Sequence, residues 1–577
     1  MDNATVARVL SELADLCEIR GENVFKIRAL RSAADTIASL PIDVRSFRGE
    51  PEKLRRLKGI GEGIAKKIVE ILDTGTCAER EELLAEYPAS LLDLLALEGV
   101  GPKKIRLFFD ALGVRSIDDL EAAATAGRIR GLPRMSAAAE AKILKAIAAH
   151  RSRAGRFLLS WAEPVVEAVV QALRELPGVR RVEAAGSYRR GRDTVGDLDF
   201  LVSSSDPGPV VERFAGLGEA IARGETKSSI RLPSGLQADL RLVPEESFGS
   251  ALQYFTGSKA HNVAIRTMAV RKHLTVNEYG VFELEDDGSA GRRVAGEREE
   301  GVYSALGLPW IPPELREDRG EIEAALEGRL PRLLERGDIR GDLHVHTIAT
   351  DGSASVEEMA LAALKRGYEY VAIADHSQSL TIAGGLDERR LRAQGAEIDR
   401  VNRRLGGRIR VLKAIEVDIL RDGSLDLAPD ALRELDVVVA SVHSAFALPR
   451  AEMTARVVRA IESGLVDILG HPTGRMLLKR EPYEIDLEAV LAAAKAHGVA
   501  LELNAFPDRL DLSDIHCRLA RDAGVQVVVS TDAHDPSHLD LLRFGVATAR
   551  RGWLGPEHVA NARPLEEFLR LVRSGHR

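Results

Sequence analysis

Nine residues with metal-binding side chains, His344, His346, Asp351, His376, Glu416, His443, His471, Asp532 and His534, fall in six short blocks: GDLHVHTIATDG, VAIADHS, LKAIEVDI, VVASVHS, DILGHP and VVVSTDAHD. Each block ends a strand-like apolar run. One histidine beside such a run means little, because core and surface histidines are common. Six blocks in one segment are different: of the 14 histidines, 11 lie beyond residue 340 and six of those are in these blocks. Imidazole together with carboxylate suits Zn, Mn and Fe, and the donors outnumber what one ion holds. A polynuclear metal site for hydrolysis is expected in the C-terminal part.

A second cluster lies in AAGSYRRGRDTVGDLDFLVS (184–203). Asp197 and Asp199 are two apart on a predicted strand, so both carboxylates face the same way. Asp239, in the alternating stretch LQADLRLV, can join them. Three acids on one face repel unless divalent cations neutralise them, and Mg²⁺ takes carboxylate plus phosphate oxygens. Gly186-Ser187 ends a strand and would open a helix, presenting N–H groups and a hydroxyl to a triphosphate, with Arg190 adding charge for the transition state. A bare Asp-x-Asp suits a solvated edge strand. The Gly-Ser turn upstream and the third strand carboxylate point to nucleotidyl transfer instead.

The third signal is a repeat: LKGIGEGIAKKIVEIL (57–72) and LEGVGPKKIRLFFDALG (97–113). Gly59, Gly61, Gly99 and Gly101 permit a tight turn feeding a helix N-terminus, where free N–H groups hold phosphate oxygens. Lys66, Lys67, Lys103 and Lys104 follow. Ordinary helix connections with capping glycines would look alike in one copy. Two copies, each followed by lysines, favour contacts that position DNA without reading its sequence.

These residues need elements to hold them. Residues 1–150 carry apolar positions at helical spacing, with stops at Gly or Pro. Residues 160–177 read as another helix stopped at Pro-Gly, and after it comes strand-like sequence, including GDLDFLVS, LQADLRLVP and HLTVNEYGVFEL, for an α/β unit with a mixed or antiparallel sheet. Residues 316–340 read as a charged linker helix. From 341 onward apolar strands alternate with amphipathic helices, the βαβ rhythm of a barrel-like parallel sheet whose strand ends share one rim. The 577 residues suffice for several domains; 45% are hydrophobic and 29% charged, an ordinary soluble composition. No apolar run is long enough to cross a bilayer, and MDNATVARVL lacks the pattern of a secretory signal. Cys17, Cys77 and Cys517 form no metal or disulfide pattern, which suits a reducing cytoplasm. A net charge of −8 argues against wholesale coating of nucleic acid, but residues 1–155 hold 25 Lys and Arg against 23 Asp and Glu.

The repeated hairpins resemble helix-hairpin-helix DNA-binding motifs, and the second cluster resembles the DNA polymerase beta-like nucleotidyltransferases, the family X polymerases. YFTGSKAHN (254–262) is similar to that family's sugar- and base-contacting segment. The resemblance implies that Tyr254, Phe255 and Gly257 crowd the deoxyribose 2′ carbon, that Asn262 contacts the incoming base, and that Arg266 and NEYG (277–280) face the template. Lys259 and His261 stand where the animal repair enzymes carry an acid and an aromatic; a lysine there implies stronger binding of the nucleotide's phosphates. Lys67 aligns with the Schiff-base lysine that removes a 5′-deoxyribose phosphate, but Gly63 and Leu30 replace a supporting lysine and tyrosine. Lys67 is therefore read as a phosphate contact, with abasic-site lyase chemistry as the alternative.

Over its whole length the chain resembles a bacterial-type family X DNA polymerase with a C-terminal polymerase-and-histidinol-phosphatase (PHP) domain. The implied organisation is a helix-hairpin-helix region (1–150), a catalytic and nucleotide-selecting part (151–315), the linker (316–340) and a distorted (β/α)7 PHP barrel (341–577). By the same resemblance His344, His346, Glu416 and Asp532 bind one ion, Glu416 bridges to a second with His443 and His471, and Asp351, His376 and His534 bind a third. Asp375 and Asp418 flank these ligands, as orienters or as surface acids. The implied function is short-gap filling in DNA repair, including base excision repair, with Mg²⁺, joined to a Mn²⁺- or Zn²⁺-dependent 3′–5′ exonuclease and 3′-phosphoesterase that also incises abasic sites. Partners would be gapped or nicked DNA and deoxynucleoside triphosphates, with no membrane, for a cytoplasmic, nucleoid-associated monomer. Competing readings are a small-molecule phosphatase fused to a nucleotidyltransferase with a non-DNA acceptor, and a scaffold with dead sites.

Overall fold

The computed structural model describes residues 3–38, 44–49, 51–57, 59–97, 99–133, 135–153, 155–478 and 480–573. It divides into two compact units, Met1–Gly155 and Arg156–Arg577.

The first unit is helical. In the helix Asn3–Arg20, Val6, Leu10, Leu13 and Cys17 recur at three- and four-residue spacing and are all buried. Ile27, Leu30, Ala34 and Ile37 form the matching stripe on Val24–Ala38. Both hairpin copies make the same turn: Ile60 and Val100 are buried anchors whose N–H groups donate to Leu57 and Leu97, and Gly59 and Gly99 hold φ of 80° and 78°. A Cβ at Gly59 would come within 2.7 Å of Ser32 Oγ.

Among the described residues, the second unit contains a short pairing of Phe157–Leu158 with Thr194–Val195, two larger sheets and a barrel. Strands β1 (Val179–Ala184), β2 (Asp197–Ser204), β3 (Glu219–Arg223), β4 (Lys227–Arg231) and β5 (Gln237–Leu242) form a mixed sheet in the order β1-β2-β5-β4-β3, with β2 and β5 parallel. Leu198, Phe200 and Val202 of β2 alternate into a core with Val182 and Leu240. Leu201, on the other face, is covered by Phe248 and Ala251 of the helix Phe248–Thr256. At the start of β2, beyond that cover, Asp197 is exposed and Asp199 half-buried. Strands β6 (Leu274–Asn277), β7 (Gly280–Leu284) and β8 (Ala290–Ala295) make an antiparallel sheet beside the helix Lys259–Arg271. The expected linker helix is helical only over Glu321–Leu326, and Ile322, Ala324 and Ala325 pack into the same core as Val276, Val281 and Tyr303. The acids and arginines of 316–340 therefore include buried partners and not just a solvated face.

Seven parallel strands follow in sequential order: β9 (Gly341–Val345), β10 (Tyr370–Ile373), β11 (Arg410–Asp418), β12 (Val437–Ser441), β13 (Ile468–Leu469), β14 (Ala500–Asn504) and β15 (Val527–Ser530). Val345 bridges to Ala533 past the end of β15, so the sheet nearly closes into the expected barrel. The strands are buried throughout except for Arg410 and Lys413, as suits parallel strands covered on both faces. Leu510 and Phe544 of the barrel region join the core of the mixed sheet, and Trp553 joins that of the antiparallel sheet. Phe544→Ala should cost about 3 kcal/mol by opening a cavity at this junction. A urea unfolding curve with an unchanged midpoint would contradict that packing role.

Candidate active sites

The barrel topology brings all nine predicted donors to one rim. His344 lies on β9 and His346 follows it on the same face; Glu416 lies within β11. His443, His471 and Asp532 each stand two residues past the ends of β12, β13 and β15. Glu416 is the centre. Its Oε1 lies 2.9 Å from His471 Nε2 and 3.2 Å from His443 Nε2, while its Oε2 lies 2.7, 3.4 and 3.8 Å from His376 Nδ1, His344 Nε2 and His346 Nε2. Asp532 Oδ1 is 3.1 Å from His346 Nε2 and 3.8 Å from His344 Nε2. Asp351, the most exposed donor, is 3.4 Å from His376 and 3.5 Å from His534.

Compact donor groups are His346, Asp351, His376 and His534; His344, His346 and Glu416; and His376, Glu416 and His443. These groups differ from the expected division into three sets: His346 and His376 each belong to two of them, and Asp532 and His471 to none. Among the described residues, buried His344 Nε2, both ring nitrogens of His346, His376 Nδ1, His471 Nδ1 and Glu416 Oε2 make no hydrogen bond of adequate geometry, although His376 Nδ1 and Glu416 Oε2 approach to 2.7 Å. Lone pairs so placed are costly unless something else binds them. The donor set therefore fits divalent transition metals. Burial alone would raise the Glu416 carboxyl, but His443, His344 and His376 outweigh it and hold it well below the usual carboxylate range. Burial pushes the His346 imidazole down to about 4, leaving it neutral, the form that ligates. The backbone at His471 and Asp532 has φ of 26° and 54°, strain of the kind that gathers at functional sites.

Several supporting residues carried no distinctive signal in the sequence. Glu502, on β14, is fully buried; it accepts from His344 Nδ1 at 2.7 Å and takes the His471 N–H at 2.7 Å and the Ser530 hydroxyl at 2.8 Å. It belongs to the one barrel strand from which no donor was predicted; a lone acid in the apolar run VALELNAF was the only hint. Asp418 lies 2.9 Å from His443 Nδ1 and fixes that ring. Asp375 does something else: buried, it takes the N–H and hydroxyl of Thr347 at 2.8 and 2.6 Å and so pins the loop after His346. Arg509 approaches Asp532 at 3.6 Å, and Asn504 donates to the same carboxylate at 3.0 Å.

In the mixed sheet Asp199 pairs in register with Asp239, and Asp197 with Gln237. Burial first, then Asp197 and Asp239, push the Asp199 carboxyl up to about 7, and burial followed by Asp239 raises Asp197. Crowded carboxylates of this kind call for a cation. Gly186, at φ 63°, opens the short turn Gly186–Arg189; a Cβ there would sit 2.4 Å from Asp199 Oδ2. Arg190 lies near enough for its charge to oppose the rise at both Asp197 and Asp199, and Ser187 lies in the same turn.

Tyr254 and Phe255 end the helix Phe248–Thr256, and Gly257 follows at φ 68° beside Arg190. Asn262 is locked by Gln253 at 2.9 Å and by the Tyr254 carbonyl at 2.7 Å. Lys259 and Arg266 are exposed. His261 is buried between Glu321, 2.6 Å from Nδ1, and the Tyr303 hydroxyl, 3.0 Å from Nε2, so this departure from the animal enzymes has structural partners. In the first unit, Gly61 and Gly101 cap the helices Glu62–Thr74 and Pro102–Leu112 without a side-chain acceptor, and Lys103 is exposed. Lys104 donates to the Gly99 carbonyl at 2.6 Å, and Lys66 pairs with Glu62 at 3.0 Å. Lys67 pairs with Glu79 at 2.8 Å, and Lys26 pairs with the same carboxylate. Lys67 thus sits in an ion-pair network in which two lysines share one carboxylate.

Models of known families match in chain order: helix-hairpin-helix domain at 1–77, SAM-like helix-hairpin-helix tandem at 91–149, DNA polymerase beta palm at 161–230, DNA polymerase beta thumb at 251–317 and PHP domain at 342–506. The DNA polymerase/3'-5' exonuclease PolX of Bacillus subtilis is 39% identical over 99% of this chain and all of that protein. A probable phosphatase of Shewanella sediminis is 32% identical over 41% of this chain and 95% of its own length. DNA polymerase lambda of Rattus norvegicus is 28% identical over 55% of this chain and 56% of its own.

Glu502 offers a test of the barrel cavity that needs no substrate. Glu502→Gln keeps the shape but removes the charge that orients His344, and metal affinity should fall by about 10- to 100-fold. Elemental analysis after dialysis against a graded chelator checks this; equal retention by variant and wild type would contradict it.

Proposed function

Because the chain belongs to the bacterial family X DNA polymerases that carry a C-terminal PHP domain, we propose that it fills short gaps in DNA and trims or unblocks 3′ ends during repair. The observation that carries this reading is the presence of two separate sets of convergent donors on one chain. One is the carboxylate trio of the mixed sheet; the other is the barrel-rim cluster around Glu416. The hairpin repeats supply the phosphate contacts, through Gly59, Gly61, Gly99, Gly101 and their lysines.

At the polymerase site Asp197, Asp199 and Asp239 would hold Mg²⁺, which would supply charge neutralisation and Lewis acidity for joining a 3′-hydroxyl to a triphosphate. Gly186 and Ser187 present N–H and hydroxyl groups to the triphosphate, and Arg190 adds positive charge beside it. Tyr254, Phe255 and Gly257 shape the sugar pocket, Lys259 reaches the phosphates, Asn262 meets the base and Arg266 the template. At the barrel rim the nine donors would hold Mn²⁺ or Zn²⁺, three ions in all, which activate water and take up charge on the leaving oxygen. Asp351 and His534, at the open edge, face the incoming 3′ end. The chain works as a monomer on gapped or nicked DNA, in the cytoplasm at the nucleoid; among the described residues no helix is long and apolar enough to cross a membrane.

A small-molecule phosphatase accounts for the barrel alone and leaves the hairpins without a use. The Lys67–Glu79 pair gives the lyase reading no support. Two substitutions separate the activities. His344→Ala should abolish digestion of a labelled 3′ end and leave gap filling intact, and Asp197→Ala should do the reverse; normal digestion by His344→Ala would end the assignment. The raised Asp199 adds a pH test. Below about pH 7 a proton competes with the cation for that carboxylate. The Mg²⁺ concentration for half-maximal gap filling should therefore rise by roughly tenfold per unit as pH falls from 7. A requirement that stays flat down to pH 6 would contradict it.

A further inference from the structure

A line of buried and half-buried charges runs from the polymerase site into the barrel. Arg190 donates from Nε to Glu317 Oε1 at 3.0 Å and from Nη1 to the Thr256 carbonyl at 2.5 Å. The same Glu317 oxygen accepts from Arg551 Nη1 at 3.0 Å. Arg551 Nη1 also donates to the backbone carbonyl of Arg190 at 2.9 Å, and its Nη2 donates to Asp514 Oδ2 at 2.8 Å. Asp514 takes a further bond from Arg319 at 2.9 Å. Arg551 ends the helix Leu542–Arg551 and Asp514 begins the helix Asp514–Ala523, both of the barrel. The Arg551 side chain is 4% exposed and that of Glu317 is 10% exposed.

Burying this many charges is costly unless each has its partner. Burial alone would raise the Glu317 carboxyl; Arg551 first and then Arg190 hold it below its ordinary range. One carboxylate is thus shared by Arg190 and Arg551, with Arg192 Nη1 a more distant third guanidinium at 3.5 Å. While Arg551 takes part of that negative charge, Arg190 keeps positive charge to offer a triphosphate. Without Arg551, Glu317 would neutralise Arg190 and draw it aside, and the Arg190 carbonyl would lose its donor.

We propose that Arg551 is a positioning residue for nucleotide addition: from the barrel it holds Glu317, and through it Arg190, so that the nuclease domain sets the turnover of the polymerase domain. This rests on the reading of the mixed sheet as the polymerase site. None of the relay's hydrogen bonds reaches the barrel's metal donors, so a change at Arg551 can be read on nucleotide addition apart from the barrel's own chemistry.

Single-turnover gap filling with the full chain tests the relay. Arg551→Met should lower the maximal rate of nucleotide addition by about tenfold, with 3′-end digestion within twofold of wild type. Arg551→Lys, which keeps the charge, should recover part of the loss. In a Glu317→Gln background the Arg551→Met change should add little, because the carboxylate through which it acts is gone. Wild-type rates in Arg551→Met would overturn the proposal. So would an undiminished effect in the Glu317→Gln background, or a parallel loss of both activities that lysine does not rescue. A wild-type chain that adds no nucleotide would instead remove the polymerase reading itself.

Discussion

Glu416 is a fully buried carboxylate whose two oxygens face different imidazoles, and the barrel's chemistry depends on that arrangement. One oxygen looks toward His443 and His471, the other toward His344, His346 and His376. A buried anion is tolerable only with compensation, and unpartnered ring nitrogens around it are a second cost. Divalent ions between them would remove both costs together. The parallel topology makes this possible, because seven sequential strands end on one rim and each can deliver a side chain to the same cavity.

The mixed sheet solves the same problem with fewer groups. Parallel pairing of β2 with β5 sets Asp199 beside Asp239, and Gly186 leaves the space into which Asp199 fits. The two sites are joined by packing as well as by charge. Leu510 and Phe544 extend the core of the mixed sheet into the barrel, and Arg543 and Arg550 pair with Glu163 and Glu314 at 2.6 and 2.7 Å. A nuclease domain anchored this firmly serves as part of the frame on which the polymerase residues are held.

The nine barrel residues stood out as candidates because their blocks overlap or follow apolar runs, and such runs stand out in a chain. The Asp197/Asp199 pair was legible from strand alternation, and the hairpins from paired glycines at a repeated spacing. The supporting shell was harder to read. Glu502 is one acid in one apolar strand, and nothing in its neighbours distinguishes it from a surface residue. Asp375 and Asp418 occupy similar positions beside ligands, yet Asp418 fixes His443 while Asp375 ties down Thr347; only the folded chain separates those roles. The linker was misread because Glu321 looks solvated in a charged stretch, whereas its partner His261 lies sixty residues away. Long-range ion pairs such as Arg551 with Glu317 leave no local pattern at all.

The most direct measurement of the central claim is anomalous scattering from crystals equilibrated with Mn²⁺. The account predicts separate peaks on the two sides of the Glu416 carboxylate, within ligand distance of the imidazoles around it, and another beside Asp197, Asp199 and Asp239. A map with no density next to Glu416, or with ions bound only at exposed acids elsewhere, would contradict it.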